Sequence, residues 1–217
     1  MHADAVYTCI MGTKGTGKTL TLRRMYARVI EAGGRATFVD TNSKNSDLAQ
    51  LAGPRDAVRG VVRSAEGWFS HVRSALAEGR PFNLVIQPDW SAEINGLWRM
   101  VYEVGHSFTA IDEAEGYANA RRIDPNLAKL ISRGRNQQCS LGATVRVPPE
   151  LSKLLRGMAD VTMSFRQESS DYADDVARES FHRHRSAAAI LVKLPRFAYL
   201  HYRSASGVLS VGKIDPP

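Results

Sequence analysis

Eight residues, GTKGTGKT at positions 12–19, constrain this chain more than any others. They match G-x-x-x-x-G-K-[ST] in full. The run before them, AVYTCIMG (5–12), is apolar enough for a buried strand, and KTLTLRRMYARVIEAGG (18–34) after them reads as a helix ended by glycines. A strand, a glycine-rich loop and a helix in that order make a phosphate cradle. Gly12, Gly15 and Gly17 let the backbone curl with its N–H groups pointing inward, and the helix beginning near Lys18 adds its positive dipole end. Thr13, Lys14 and Thr16 complete the loop, Lys18 would reach the β and γ phosphates, the Thr19 hydroxyl would ligate Mg²⁺, and Leu20 continues the first helical turn. A chance lysine in a glycine-rich turn would not need the flanking strand and helix. No G-x-G-x-x-G follows a strand, which argues against a dinucleotide site. The expected ligand is ATP with Mg²⁺.

Strand-like and helical runs then alternate to the end of the chain. Strands are expected at 35–41, 59–64, 82–87, 108–112, 139–145 and 159–165, and helices at 66–79, 91–107 (opened by a Ser91 cap), 125–137 and 170–181. Pro148 and Pro149 open a further helix, PELSKLLRGM, and three closing runs, AAILVKL, FAYLHYR and GVLSVGKI, read as strands, antiparallel at a sheet edge. Near-continuous apolar strands separated by helices imply a mainly parallel sheet with helices on both faces, an α/β P-loop NTPase architecture of the RecA-like type. At 217 residues the expectation is a single domain over 1–217. No window approaches the roughly 20 apolar residues of a membrane span, and the amino terminus lacks a basic leader. Cys9 and Cys139 both fall in strand-like runs and read as reduced core residues. Trp68, Trp90 and Trp98 read as core or interface.

A P-loop hydrolase also needs a carboxylate at a neighbouring strand end. FTAIDEAE offers Asp112 after an apolar run, to hold Mg²⁺ through water, and Glu113 beside it, to orient and deprotonate the attacking water. Asp40 in ATFVDT and Asp89 in LVIQPDW also follow apolar runs; each could equally cap a turn. At the end of the next strand, Thr144 is the candidate sensor of the γ-phosphate, with Arg146 just beyond it.

The order GTKGTGKT, FTAIDEAE, SRGRNQQCSLGATVRVPPEL, ADVTMSFR, LVKLPRFAYLHY resembles the FtsK–HerA superfamily of P-loop DNA-pumping ATPases, over residues 5–203. Within it the pattern is most like the genome-packaging ATPases of tailless, membrane-containing icosahedral viruses. The resemblance implies ATP hydrolysis coupled to translocation of double-stranded DNA by a homo-oligomeric ring, a pentamer or hexamer, docked on capsid vertex proteins. It implies a location in the host cytoplasm or at the virion vertex. It also implies an arginine that reaches the neighbouring subunit's γ-phosphate, and its family position, just before the sensor strand, matches Arg133 or Arg135; Arg121 and Arg122 read as a solvated pair. The family commonly places glutamine or asparagine where this chain has Val145, so Thr144, Arg146, Gln137 or Gln138 would take over sensing.

A net charge of +7 fits a polyanionic partner, though a GC-rich genome would give the same excess of arginine. ARESFHRHR (177–185) is either a phosphate-contacting patch or a solvated helix end, and its His182 and His184 lack companion ligands for zinc. Other readings are a cellular or plasmid HerA/FtsK-like DNA-processing ATPase, a small P-loop nucleotide kinase whose lid holds Arg133 and Arg135, and an ATP-binding virion component without turnover.

Overall fold

The apolar run that precedes the glycine-rich loop forms β1 (Tyr7–Met11), and every one of its residues is buried. A strand buried on both faces needs neighbours on both edges, and β1 has them: β6 (Ser140–Val145) on one side and β7 (Val161–Phe165) on the other, both parallel. These belong to a nine-stranded sheet in a computed structural model that describes residues 5–88, 94, 96–181 and 184–216. The remaining strands are β2 (Ala36–Asp40), β3 (Val58–Val62), β4 (Phe82–Ile86), β5 (Phe108–Asp112), β8 (Ala198–Arg203) and β9 (Val208–Lys213). The order across the sheet is β3-β4-β2-β5-β6-β1-β7-β8-β9. Strands β3 through β7 are parallel, and β8 and β9 close the sheet as an antiparallel pair. The expected α/β P-loop architecture, with an antiparallel edge at the end of the chain, is what forms.

Helices cover both faces. On one side α1 (Lys18–Glu31) packs Leu22, Tyr26 and Ile30 against Ile10, Phe38 and Val85. On the other, α2 (Ala65–Ala77), α3 (Leu97–Val104), α4 (Pro125–Arg133) and α6 (Ser170–Ser180) contribute Trp68, Trp98, Leu127 and Val176 to a second core. α2 is capped by Ser64, whose side chain accepts from Gly67 N, and α4 by Asp124, which accepts from Asn126 and Leu127 N. Trp68 and Trp98 are thus core residues; Asp89, Trp90 and the expected Ser91 cap lie outside the described residues.

Two expectations are corrected. The run AAILVKL is not a strand: its first part forms α7 (Ala187–Leu191), whose Ala187 and Leu191 are buried in the core that α6 lines, and a five-residue apolar run fits a short buried helix as well as a strand. The single helix expected after Pro148 is broken in two. A 3-10 turn at Pro148–Glu150 is followed by α5 (Lys153–Gly157), because Leu151 turns extended and bridges to Asn119.

α1 carries the glycine-rich loop at its amino end, and Tyr26 fixes how that helix lies on the sheet. Its hydroxyl donates to Asn83 Oδ1 at 2.5 Å from inside the core, and Asn83 Nδ2 donates to Leu48 O at 2.9 Å. Both side chains are fully buried, so neither can turn to water. Tyr26→Phe leaves the Asn83 oxygen unsatisfied and is expected to lower unfolding stability by about 1–3 kcal/mol in urea titration, with the m-value unchanged.

A candidate nucleoside triphosphate site

The loop after β1 is suspended between the two strands that flank β1. Gly12 N donates to Val145 O at the end of β6 (3.3 Å), and Thr13 N donates to Arg166 O just past β7 (3.0 Å). Gly12, Gly15 and Gly17 all have positive φ, at 148°, 76° and 118°. Gly17 is also required sterically, because a Cβ there would lie 2.6 Å from Ile214 Cδ1 and 3.1 Å from Phe197 Cδ1. Thr16 is buried and ties its hydroxyl to Thr13 O at 2.8 Å, while Lys14 is exposed on the outside of the loop. Lys18 Nζ donates to the same Thr13 carbonyl at 2.9 Å, which uses one of its three donors.

Two strand ends and a helix start meet at Asp112. Thr144 Oγ1 donates to Asp112 Oδ1 at 2.6 Å and Thr19 Oγ1 to the same oxygen at 3.1 Å, so the α1 start, β5 and β6 share one carboxylate. Burial pushes the Asp112 carboxyl up, and the Thr144 and Thr19 hydroxyls partly offset this. Burial pushes Lys18 down, and the nearby carboxylates Glu115, Asp112 and Glu113 oppose it. A hydroxyl and a carboxylate oxygen side by side are the hard donors that Mg²⁺ takes, so Thr19 and Asp112 fit that ion. Among the described residues no cluster of three or more His, Cys, Asp or Glu could hold another metal.

Glu113 stands next in the chain with a left-handed backbone (φ 55°, ψ 61°), and its N–H donates to Thr144 Oγ1 at 2.9 Å. A left-handed glutamate costs about 1–3 kcal/mol, and the bond to Thr144 helps hold it there, half-buried beside Asp112. Thr144 is therefore committed to Asp112 and Glu113 rather than free to sense a phosphate.

Of the rival carboxylates, Asp40 is a structural group. It is fully buried, accepts Asn45 N, Asn45 Nδ2 and Gln87 Nε2 at 2.7 Å each, and lies in register with Asp112 on the adjacent strand without touching Thr19. Asp89 lies outside the described residues.

Arg146 lies at the mouth of the loop, where its positive charge helps lower Lys18. Its backbone N–H is held by Glu115 Oε1 at 2.9 Å, while Glu115 Oε2 is buried without a partner. Burial pushes the Glu115 carboxyl up, against backbone N–H groups that pull it down. The sequence reading missed Glu115, although DEAE spaces it two residues from Glu113. It also missed Thr41, whose hydroxyl donates to Asp112 O at 2.6 Å, and Arg196, whose Nε donates to Gly15 O at 3.0 Å.

Arg133 and Arg135 are at the other end of the sheet. Arg135 pairs with Asp160, and Asp160 Oδ2 accepts Tyr7 N at 2.9 Å at the start of β1. Five residues of strand, about 17 Å, separate that end from the loop. Arg133 ends α4 exposed, with no ion pair among the described residues. Gln137 and Gln138 belong to this same far end, where Gln137 O accepts His106 N, so neither replaces the family's polar sensor. A cavity of about 450 Å³ between Met25, Arg35, Phe108 and Ser140 is there too, with Gln138 on its wall. In the basic run 177–185, Arg178 is paired with Asp175 and Glu179, and His184 Nε2 lies against Gly207 O; His182 and Arg183 lie outside the described residues.

No protein-family model and no curated protein matches the sequence. Among solved structures, the genome packaging NTPase of Sulfolobus turreted icosahedral virus 2 in complex with AMP superposes with a TM-score of 0.76 at 15% identity, covering 97% of this chain and 98% of that one. The fold is that of the genome-packaging NTPases. The DNA-packaging ATPase of Sulfolobus turreted icosahedral virus aligns over 98% of both chains with a TM-score of 0.72 and 17% identity. The N-terminal domain of zonular occludens toxin from Neisseria meningitidis reaches 0.53 at 15% identity, covering 98% of this chain and 96% of that one. The resemblance read from the motifs thus holds in the fold, and among the described residues no helix is long and apolar enough to cross a membrane.

Removing Asp40 separates structure from chemistry. Asp40→Ala strips three buried donors of their acceptor and is expected to cost about 2–4 kcal/mol in denaturant unfolding. ATP affinity by calorimetry on the folded protein is expected to change by less than about twofold, whereas an Asp40 that holds the metal would lower it far more.

Proposed function

We propose that this chain hydrolyses ATP to move double-stranded DNA into a preformed viral capsid, working as a ring of identical subunits at a capsid vertex. The observation that carries the reading is the assembly of a hydrolytic set, Lys18, Thr19, Asp112, Glu113 and Thr144, within a fold shared end to end with packaging NTPases. The loop N–H groups and Lys18 bind the phosphates. Glu113 receives a proton from water as its oxygen attacks the γ-phosphorus and the bond to the bridging oxygen breaks, releasing ADP and phosphate. Mg²⁺, held by Thr19 and through water by Asp112, would supply charge to the phosphate oxygens. Arg146, on an amide fixed by Glu115, contributes positive charge at the mouth of the same site.

Arg133 or Arg135 completes the neighbouring subunit's site, since neither reaches its own loop from the far end of the sheet. That position also favours hydrolysis over nucleotide-kinase chemistry, in which lid arginines must close over their own active site. The DNA contacts are chiefly to backbone phosphate, as no base-reading motif is present.

Turnover of ATP is expected to rise on adding double-stranded DNA and to fall by about 100-fold or more in Glu113→Gln, with ATP binding retained. Phosphate transfer to a nucleoside monophosphate in place of hydrolysis would instead identify a kinase. Subunits carrying Arg133→Ala or Arg135→Ala, mixed with Lys18→Ala subunits, are expected to recover activity in one of the two mixtures; no recovery in either removes the finger in trans. Glu115→Ala, which releases the Arg146 amide, is expected to lower kcat about tenfold or more with KM for ATP little changed.

A further inference from the structure

The phosphate loop has two unlike flanks. Toward β6 and β5 lie Asp112, Glu113 and Arg146, the groups expected at the γ-phosphate end. Toward β7 and β8 lies a notch of about 240 Å³, bounded by Lys18, Thr19 and Leu20 at the start of α1 and by Arg196 and Phe197 just before β8. A nucleotide whose γ-phosphate faces Asp112 must leave the loop on this second flank. The notch is smaller than the roughly 300–1,000 Å³ of a complete small-molecule pocket, as suits a subsite that takes the nucleoside alone.

Its far wall is prepared. Arg196 Nε donates to Gly15 O at 3.0 Å, and its guanidinium lies over the Phe197 ring, 4.7 Å from the centroid. Phe197 holds a left-handed backbone, φ 67°, with its carbonyl accepting Ile214 N at 2.9 Å and its ring wedged against Gly17. The guanidinium is thus clamped as a plane between an aromatic ring and the loop, and it remains exposed on the notch side. None of the described residues lining the notch carries a carboxylate or a side-chain amide. A surface that stacks but offers no carboxylate or side-chain amide to read a base edge binds purines without telling them apart.

We propose that Arg196, supported by Phe197, is the nucleoside subsite, where the base stacks on the guanidinium plane, and that the site takes ATP and GTP with little discrimination. The proposal rests on triphosphate binding at Gly12–Thr19 and adds where the nucleoside lies and how loosely it is read.

Calorimetric titration of the protein with ATP, GTP and inorganic tripolyphosphate tests it. ATP and GTP are expected to bind within about tenfold of each other. Arg196→Ala is expected to weaken both by about tenfold while tripolyphosphate affinity changes less than about threefold. A preference for one purine above tenfold, an unchanged ATP affinity in Arg196→Ala, or an equal loss of ATP and tripolyphosphate affinity each overturns the subsite; the last outcome makes Arg196 a phosphate contact. Lys18→Ala is the separate control on the phosphate site, expected to weaken all three ligands, and its failure to do so would overturn triphosphate binding itself.

Discussion

A buried carboxylate has to be satisfied, and the way Asp112 is satisfied organises the rest of the site. One of its oxygens accepts both the Thr19 and Thr144 hydroxyls, and its backbone carbonyl accepts Thr41. Those three donors come from the start of α1, the end of β6 and the residue after β2. The loop, the strand that would sense it and the next strand over are therefore registered to one another through a single side chain. Glu113 inherits its place from the same clasp, since Thr144 accepts its N–H while donating to Asp112. A threonine whose hydroxyl is used in both directions has nothing left for a phosphate. One residue past the buried Val145, Arg146 adds positive charge near Lys18.

The other flank is held by packing as well as by the Thr13 N–Arg166 O and Arg196 Nε–Gly15 O bonds. Phe165, Phe197 and Ile214 close on Gly17, and Phe165 Cβ would sit 2.7 Å from a Cβ at Gly12. The two antiparallel strands added after β7 thus do more than extend the sheet: the residues entering β8 and leaving β9 form the back wall of the phosphate loop. Arg24 reinforces this by donating to Asp215 O at 2.9 Å. The β8–β9 edge and the loop are thus in direct contact.

What could be read from the sequence follows the range of the interactions. The loop was legible because its dihedrals demand glycines at fixed spacing and its flanking strand and helix are contiguous. Asp112 and Asp40 could be ranked but not separated, since both end apolar strands and sit opposite each other in register. What distinguishes them is that Asn45 and Gln87 saturate Asp40, the second of them from a loop distant in the chain. Glu115 and Arg196 went unread for the same reason, their partners being Arg146 N and Gly15 O, far along the chain from each. AAILVKL misled because seven apolar-rich residues carry too little periodicity to tell a short buried helix from a strand.

The polarity of a parallel sheet accounts for the separation of the arginines from the chemistry. Every strand from β3 across to β7 points the same way, so all loops after strands gather at the triphosphate end and all helix ends entering strands gather at the other. Arg133 and Arg135 leave α4 on the way into β6 and are therefore carried to the far end by topology alone. Arg135 is already paired with Asp160, which also receives Tyr7 N, whereas Arg133 is exposed and unpaired among the described residues. An arginine that acts on a neighbour must give up any partner in its own subunit. Arg133 can do so at no electrostatic cost, while Arg135 would leave a half-buried carboxylate without its cation. Of the two arginines proposed to act in trans, Arg133 is thus the one with no partner to give up, while Arg135 braces the end of β1 through Asp160.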